Sequence, residues 1–277
     1  MYYWMILVFN DIIRRLELKL HRPIQWIICL LHFKELPLRH LFERKSYDPS
    51  SYTGYIGRNL KGCEKLPLVD FNSTECDLPG IDPTNLSCDQ KYLFDICTAI
   101  SSGVGSSDLS KRQPGRLNLA RWPTTANRIL RLHISTSDTS NELMTLAVFI
   151  LRVYAPSWFR IKVRHSIKDA ARHLRHFISS SRYLPKKYRD IIEPVISRNA
   201  YFAAPENMLL AMLTDERCHI RTLAARRIIK AREIGPDGNC VRRFVIHAVN
   251  FRATDYADLI DWQTCNVAPT TVLSIQS

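Results

Sequence analysis

The residues with chemical potential in this chain are few and widely spaced. Cys29-Leu-Leu-His32 sets a thiol and an imidazole three positions apart at the end of an apolar run, and His40 follows within FKELPLRHLF. On spacing alone such a pair reads as a small buried thiol and a satisfied histidine at a strand end. Cys218-His219 and the pair His173 and His176 each lack a second matching pair at metal-ligand spacing, and they read as surface or helix-face residues. The eight cysteines, at 29, 63, 76, 88, 97, 218, 240 and 265, contain no Cys-x-x-Cys, so neither a zinc ribbon nor a thioredoxin-like motif is present and reduced thiols are expected. Gly103-Val-Gly105-Ser-Ser-Asp108 follows a helical stretch and lacks the third glycine of a dinucleotide loop. No P-loop, His-Glu-x-x-His or Gly-x-Ser-x-Gly occurs, which leaves the common nucleotide-binding and hydrolase mechanisms without sequence support.

Charge is more informative. The 277 residues hold 39 Lys+Arg and 26 Asp+Glu, a net +13. Residues 111–190 alone hold 17 basic and 4 acidic residues, so one stretch carries the whole excess and the rest of the chain is neutral. Like charge concentrated in this way repels itself unless phosphates or an anionic surface neutralise it. Aromatic side chains stand among these cations, and such interleaving can build a groove that tracks phosphates while bases stack. The residues expected to contact nucleic acid are Arg121, Trp122, Arg128, Arg131, Arg172, Arg175, Lys186 and Lys187. Trp122, between Arg121 and Pro123, is the stacking candidate, whereas Trp158 and Phe159 after Pro156 read as core. If the aromatics pack inward, the charge still faces out. The dibasic pairs at 186–187, 226–227 and 242–243 are weak hints of nuclear import.

The elements that must position these residues are mainly helical. A chain that is 46% hydrophobic and 23% charged, with only 9 glycines, is long enough for a sizeable core and poor in tight turns. Residues 1–9 fit a buried strand, Asp11 precedes a short amphipathic helix ended by Pro23, and 24–31 is a second apolar run of strand length. The apolar opening is too short for a membrane span and lacks the basic start of a secretory signal. This α/β edge is expected over 1–45, a loop or linker over 46–86, a helical domain over 87–235, and a late strand with a frayed tail over 236–277. Ser87 with Gln90 forms a capping box for a helix that stops at Gly103. Helical patterns follow near 123–134, 141–154, 168–180 and 186–198, punctuated by Pro156 and Pro185, and then over 205–232 with a cap at Thr214 or Asp215. Alternation from Phe244 to Asn250 suits the late strand.

Cys29-x-x-His32 directly after an apolar run, with Arg121-Trp122 opening RWPTTANRILRL further on, resembles the RNase H-like transposases of the hAT-type superfamily. The phrases QWIICLLHFKELPLRHLF, GRLNLARWPTTANRILRL and RNAYFAAPENMLLAMLTDE look more specifically like a group of multicopy animal open reading frames of transposon origin. The likeness covers about residues 12–260. It implies an incomplete, N-terminally truncated RNase H-like edge followed by a helical domain. The chemistry of that superfamily needs three carboxylates holding two Mg²⁺ ions for in-line attack on a phosphodiester. Asp11 stands roughly where a second acid would, and also where a helix N-cap would. Glu206 and Glu216 are the candidates for the third acid, although Glu206 after Pro205 also suits a helix first turn. No position is left for the first acid.

The expected fold class is therefore mainly α with a small α/β portion. The expected function is nucleic-acid binding, to DNA, by a catalytically inactive transposase-derived protein with no cofactor, Mg²⁺ entering only if an active site were complete. The alternatives are a helical scaffold for acidic protein partners and a metal-dependent strand transferase or nuclease. A nuclear or cytoplasmic location, no membrane partner, and compatibility with a homo-oligomer complete the expectation.

Overall fold

The computed structural model describes residues 30–46, 52–117, 122–199, 203–233 and 247–265. Among the described residues the chain is mainly helical and contains no strand. The expected strand at 1–9, the helix after Asp11 and most of the run at 24–31 lie outside them, as do Asp11, Cys29 and Arg121. Leu30 and Leu31, expected to close a strand, instead open α1 (Leu30–Ser46). The reason is the spacing that follows: Phe33, Leu38, Leu41 and Phe42 are buried on one helical face, while Arg39 donates to Glu43 one turn on at 2.8 Å.

Packing divides the described chain into two units, one containing 29–169 and 173–199, the other containing 170–172 and 200–277. In the first unit, α1 is followed by α2 (Tyr55–Leu60), α3 (Cys88–Ser102), the short α4 (Ser107–Lys111) and α5 (Trp122–His133). The stretch expected as a linker thus holds α2 and two 3-10 turns, Cys63–Lys65 and Pro83–Asn85, and its described residues belong to the same unit as α3. The capping box of α3 forms as its sequence predicts, with the Ser87 N–H donating to Gln90 Oε1 at 3.2 Å, and Gly103 takes φ 72 at the other end. Only a residue without a Cβ adopts that left-handed cap at no steric cost.

α6 (Asn141–Val163) runs straight through Pro156, where an interruption was expected. A proline in a helix removes one N–H and crowds the preceding turn. Here a π turn over Ile150–Tyr154 widens the backbone just before Pro156, so the helix continues without a break. α6 is long and apolar enough to cross a membrane by composition, with mean hydropathy 1.2, yet 72% of that window is buried inside the fold. α7 (Ala170–Ser181) and α8 (Lys186–Asn199) follow, and α1 packs on α8 and α6 while α3 packs on α5. Phe33, Phe149 and Phe177 meet edge to face, with Phe177 6.2 Å from Phe33 and 6.3 Å from Phe149 between ring centroids.

In the second unit α9 (Pro205–Leu213) packs on α10 (Cys218–Glu233). Asp215 shapes the turn between them by accepting from the Arg217 N–H at 2.9 Å. The described part of the late strand, 247–250, is irregular; its Asn250 N–H donates to Leu259 O at 2.7 Å after the chain turns back through Tyr256–Asp258. Alternating residues alone do not make a strand without a neighbouring strand to pair with.

The first unit's core also encloses a lysine. Lys34 is 0% exposed; its Nζ donates to His173 O at 2.8 Å and sits 4.1 Å from the Phe177 ring centroid. Burial pushes its pKa well below the ordinary 10.5, and burial pushes the neighbouring Glu35 up to about 7. The folded state therefore binds the Lys34 proton less tightly than the unfolded chain does, so stability rises as pH climbs from neutral toward 10.5. Lys34→Met should raise stability by about 1–3 kcal/mol at pH 7 in urea unfolding, because an apolar side chain of similar length is spared the cost of deprotonating or desolvating the ammonium. The same variant should lose the rise of stability between pH 7 and about 10 that the parent shows.

Candidate nucleic-acid interface

The predicted contact residues divide between interior and surface. Trp122 is buried at 4% exposure, its ring edge-on to Phe42 at 6.0 Å between centroids, so neither face is open to a base. The stacking role expected of Trp122 is thereby corrected: it opens α5 as a core residue. Arg128 and Arg131 are buried at 7% and 1% and are also corrected, from phosphate contacts to internal ones. Arg128 donates to Gly115 O at 2.6 Å and Leu60 O at 2.8 Å and pairs with Glu64 at 2.9 Å. Arg131 donates to Leu66 O at 2.8 Å. A guanidinium carries five donors in a planar fork, which suits it to satisfy several backbone carbonyls at once.

Arg172 is likewise engaged internally, in the second unit. Its Nη2 donates to Ala211 O at 2.9 Å and lies 3.3 Å from Asp215 Oδ2. Asp215, 6% exposed, also accepts from Arg217 Nε at 3.0 Å, Arg217 Nη2 at 3.1 Å and the Tyr256 hydroxyl, and Arg217 reaches on to Asp255. The hydrogen bonds from Arg217, and then that from Tyr256, hold the Asp215 carboxyl well below the usual carboxylate range. Arg175 is half-buried.

Apart from Lys111, Arg116 and Arg152, the exposed cations of the block lie at the two ends of α7, in parts of the chain that belong to the first unit. Lys162 in the last turn of α6, and Arg164, His165 and Lys168 between α6 and α7, are exposed, and no acid interrupts 162–168. Arg182, just past α7, and Lys186 and Lys187, which open α8, are exposed, with Lys186 paired to Asp190 at 2.8 Å. Beside them Arg152 sits over the ring of Tyr183, 5.3 Å from its centroid, with Tyr183 37% exposed. This cation and aromatic pair has the accessible ring that Trp122 lacks. The two clusters are about 18 Å apart, the length of a twelve-residue helix. Tyr183, Arg152, Lys162, Arg164 and Lys168 stand outside the contact set that the sequence suggests. For all but Arg152, which lies in the π turn of α6, the signal is position: each lies at or near a helix end, where side chains escape the core.

Of the catalytic candidates, Asp11 lies outside the described residues. Glu206 lies inside α9 and Glu216 beyond its end, so the two alternatives for the third acid stand apart, with about 10 Å of helix between Glu206 and Leu213. Glu206 occupies the first turn of α9, and burial raises its pKa. His32 falls in the first turn of α1. Cys218 and His219 open α10, and His173 Nε2 is 2.7 Å from Arg164 O while burial lowers the His176 pKa to about 4. Among the described residues no group of three His, Cys, Asp or Glu side chains is placed to hold a metal ion. A surface depression of about 320 Å³, lined by Asn59, Lys61, Gly62, Leu66, Leu132 and Thr136, brings together no acid or imidazole.

No protein-family model, no curated protein and no solved structure matches the chain.

The Asp215 network yields a direct test of internal against external arginine. Because its folded-state pKa is depressed, its stabilisation is present above the ordinary aspartate value and is lost as pH falls below about 4. Asp215→Asn should lower stability by about 2–3 kcal/mol at pH 7, the partial exposure of Arg217 and Arg172 reducing the loss below that of a fully buried pair. Thermal melts of parent and variant should converge as the pH is taken below 4.

Proposed function

We propose that the chain binds the phosphate backbone of nucleic acid, DNA in the first instance, through the exposed cations at both ends of α7. The observation that carries the reading is the exposure of Lys162, Arg164, His165 and Lys168 in a stretch without an acid. The cations buried with Arg128 and Arg131 are committed to carbonyls, so the exposed population is the one that phosphates can reach. The clusters at the two ends lie farther apart than the screening length of about 8 Å at physiological salt, so each must touch the ligand directly. A duplex spans about 18 Å in roughly five base pairs, which lets one segment reach both. Tyr183 with Arg152 supplies a stacking surface where the bases are single-stranded.

In this reading the protein is a transposase-derived binder without catalytic activity, working in the nucleus. It rests on the resemblance carried by Cys29, His32 and Arg121-Trp122. Backbone binding of this kind needs no cofactor and is read through its salt dependence.

Fluorescence anisotropy with a short labelled duplex tests it. Log affinity should fall linearly with log salt, and Lys162→Ala/Arg164→Ala/Lys168→Ala should reduce the slope by about 2–3, near 0.9 for each phosphate that is no longer neutralised. Arg182→Ala/Lys187→Ala should reduce it by about 1–2. Absence of binding at low salt, or a slope unchanged by both variants, refutes the interface. Preferential capture of a polyglutamate competitor with no duplex binding would instead support a scaffold for acidic proteins.

A further inference from the structure

The segment 66–82 has no helix or strand of its own, yet it runs down one face of α3 in fixed register. Leu68 and Phe71 close over Gly105, where a Cβ would lie 3.3 and 3.5 Å from their side chains. Ser73 meets Gly103, where a Cβ would lie 3.5 Å from its own. The Thr74 N–H donates to Ile100 O at 3.3 Å. Two residues on, Cys76 falls beside Cys97, near enough for its sulfur to raise the Cys97 pKa. Positions 103, 100 and 97 recur every three residues and so share one helix face, which the segment descends antiparallel. Asp77, next in line, is ion-paired at the surface with Arg160 of α6. Both sulfurs are free thiols; Cys97 is 0% exposed and Cys76 half-buried.

We propose that Cys76 and Cys97 are a redox-active dithiol, converted by a peroxide into an intramolecular disulfide that staples 66–82 to α3. The half-buried Cys76 is the thiol a peroxide can reach. Its thiolate sulfur attacks one peroxide oxygen, the O–O bond breaks, and the departing hydroxide takes a proton to leave as water, giving a sulfenic acid on Cys76. The Cys97 sulfur then attacks Cys76 Sγ; the S–S bond forms, the S–O bond breaks, and the hydroxyl leaves as a second water with the Cys97 proton. The two thiols lose two electrons, and the peroxide O–O bond receives both. Burial, and then the neighbouring Cys76 sulfur, push the Cys97 thiol well above its ordinary pKa, so the second step is slow at neutral pH and quickens as pH rises. The bond would close the chain from 76 to 97 into a loop and restrict the unfolded state.

The test uses the full chain, treated with stoichiometric hydrogen peroxide and mapped by mass spectrometry without reductant. The expected result is a loss of about 2 Da and one joined peptide pair carrying Cys76 and Cys97, reversed by dithiothreitol. The oxidised protein should melt roughly 5–10 °C higher than the reduced one. Cys76→Ser should abolish the joined pair while leaving the helical circular dichroism unchanged. The proposal is overturned if Cys76 stops at sulfinic acid, if it joins any other cysteine or another molecule, if the mass does not change, or if the melting temperature is unaltered. None of these readouts involves nucleic acid, so the outcome is independent of the proposed interface.

Discussion

Two guanidinium groups and one amide on a single helix hold together the part of this fold that has no ladder of its own. On α5, Asn127 donates to Asp89 O at 3.0 Å and Pro114 O at 3.2 Å, Arg128 to Gly115 O and Leu60 O, and Arg131 to Leu66 O. The carbonyls at 66, 114 and 115 belong to irregular backbone that neither a helix nor a sheet satisfies, and that at 60 closes the last turn of α2. Buried without partners, each would cost about 1–3 kcal/mol, enough in sum to rival the net stability of most domains. Gly115 makes the approach feasible: it takes φ 92, and a Cβ there would lie 2.9 Å from Thr124 Cγ2. Side-chain donors thus do here what strand pairing does in a sheet.

This constraint changes what the basic block means. Repulsion among like charges falls when a cation is matched by carbonyl dipoles or by an acid from elsewhere in the chain. Glu64 serves Arg128, Asp95 and Asp108 serve Arg112, and Asp77 serves Arg160, all from outside the block, with Asp108 just beyond its edge. The neutral balance of the remaining sequence therefore conceals acids that are already committed to the block. The outward excess is smaller than +13 and is concentrated at the ends of α7.

Legibility in the sequence follows the range of the interaction involved. The limits of α3 are readable because Ser87, Gln90 and Gly103 act within one turn of the helix they bound. The full length of α6 is not, since Pro156 has the local signature of a stop, whereas the π turn before it depends on the packing of Val153 and Tyr154 in the core. The described part of the late strand, 247–250, is irregular for a related reason: alternation is local and strand pairing is not. The site is partly legible. The sequence locates the block, but it cannot place Trp122 inside, since a flanking arginine and proline say nothing of Phe42 lying eighty positions away.

Within the block, residue type sorts inside from outside more sharply than position does. Its five lysines, Lys111, Lys162, Lys168, Lys186 and Lys187, are all exposed, and among its described residues the buried cations, Arg128 and Arg131, are both arginine. The physical reason is hydration. An ammonium is a compact, strongly hydrated point charge with three donors, whereas a guanidinium is weakly hydrated and presents its donors in a plane that separate carbonyls can approach from several sides. A lysine at 128 could not hold Gly115, Leu60 and Glu64 together, because its single nitrogen cannot span partners reached here by Nε and Nη1. Lys34 obeys the same logic from the other side: buried with one carbonyl and the rings of Phe33 and Phe177 for company, it is pushed toward the neutral amine, which has one donor fewer to match. The charge of the block is therefore two populations with different work, arginines that organise irregular backbone and a mixed Lys and Arg set left facing water.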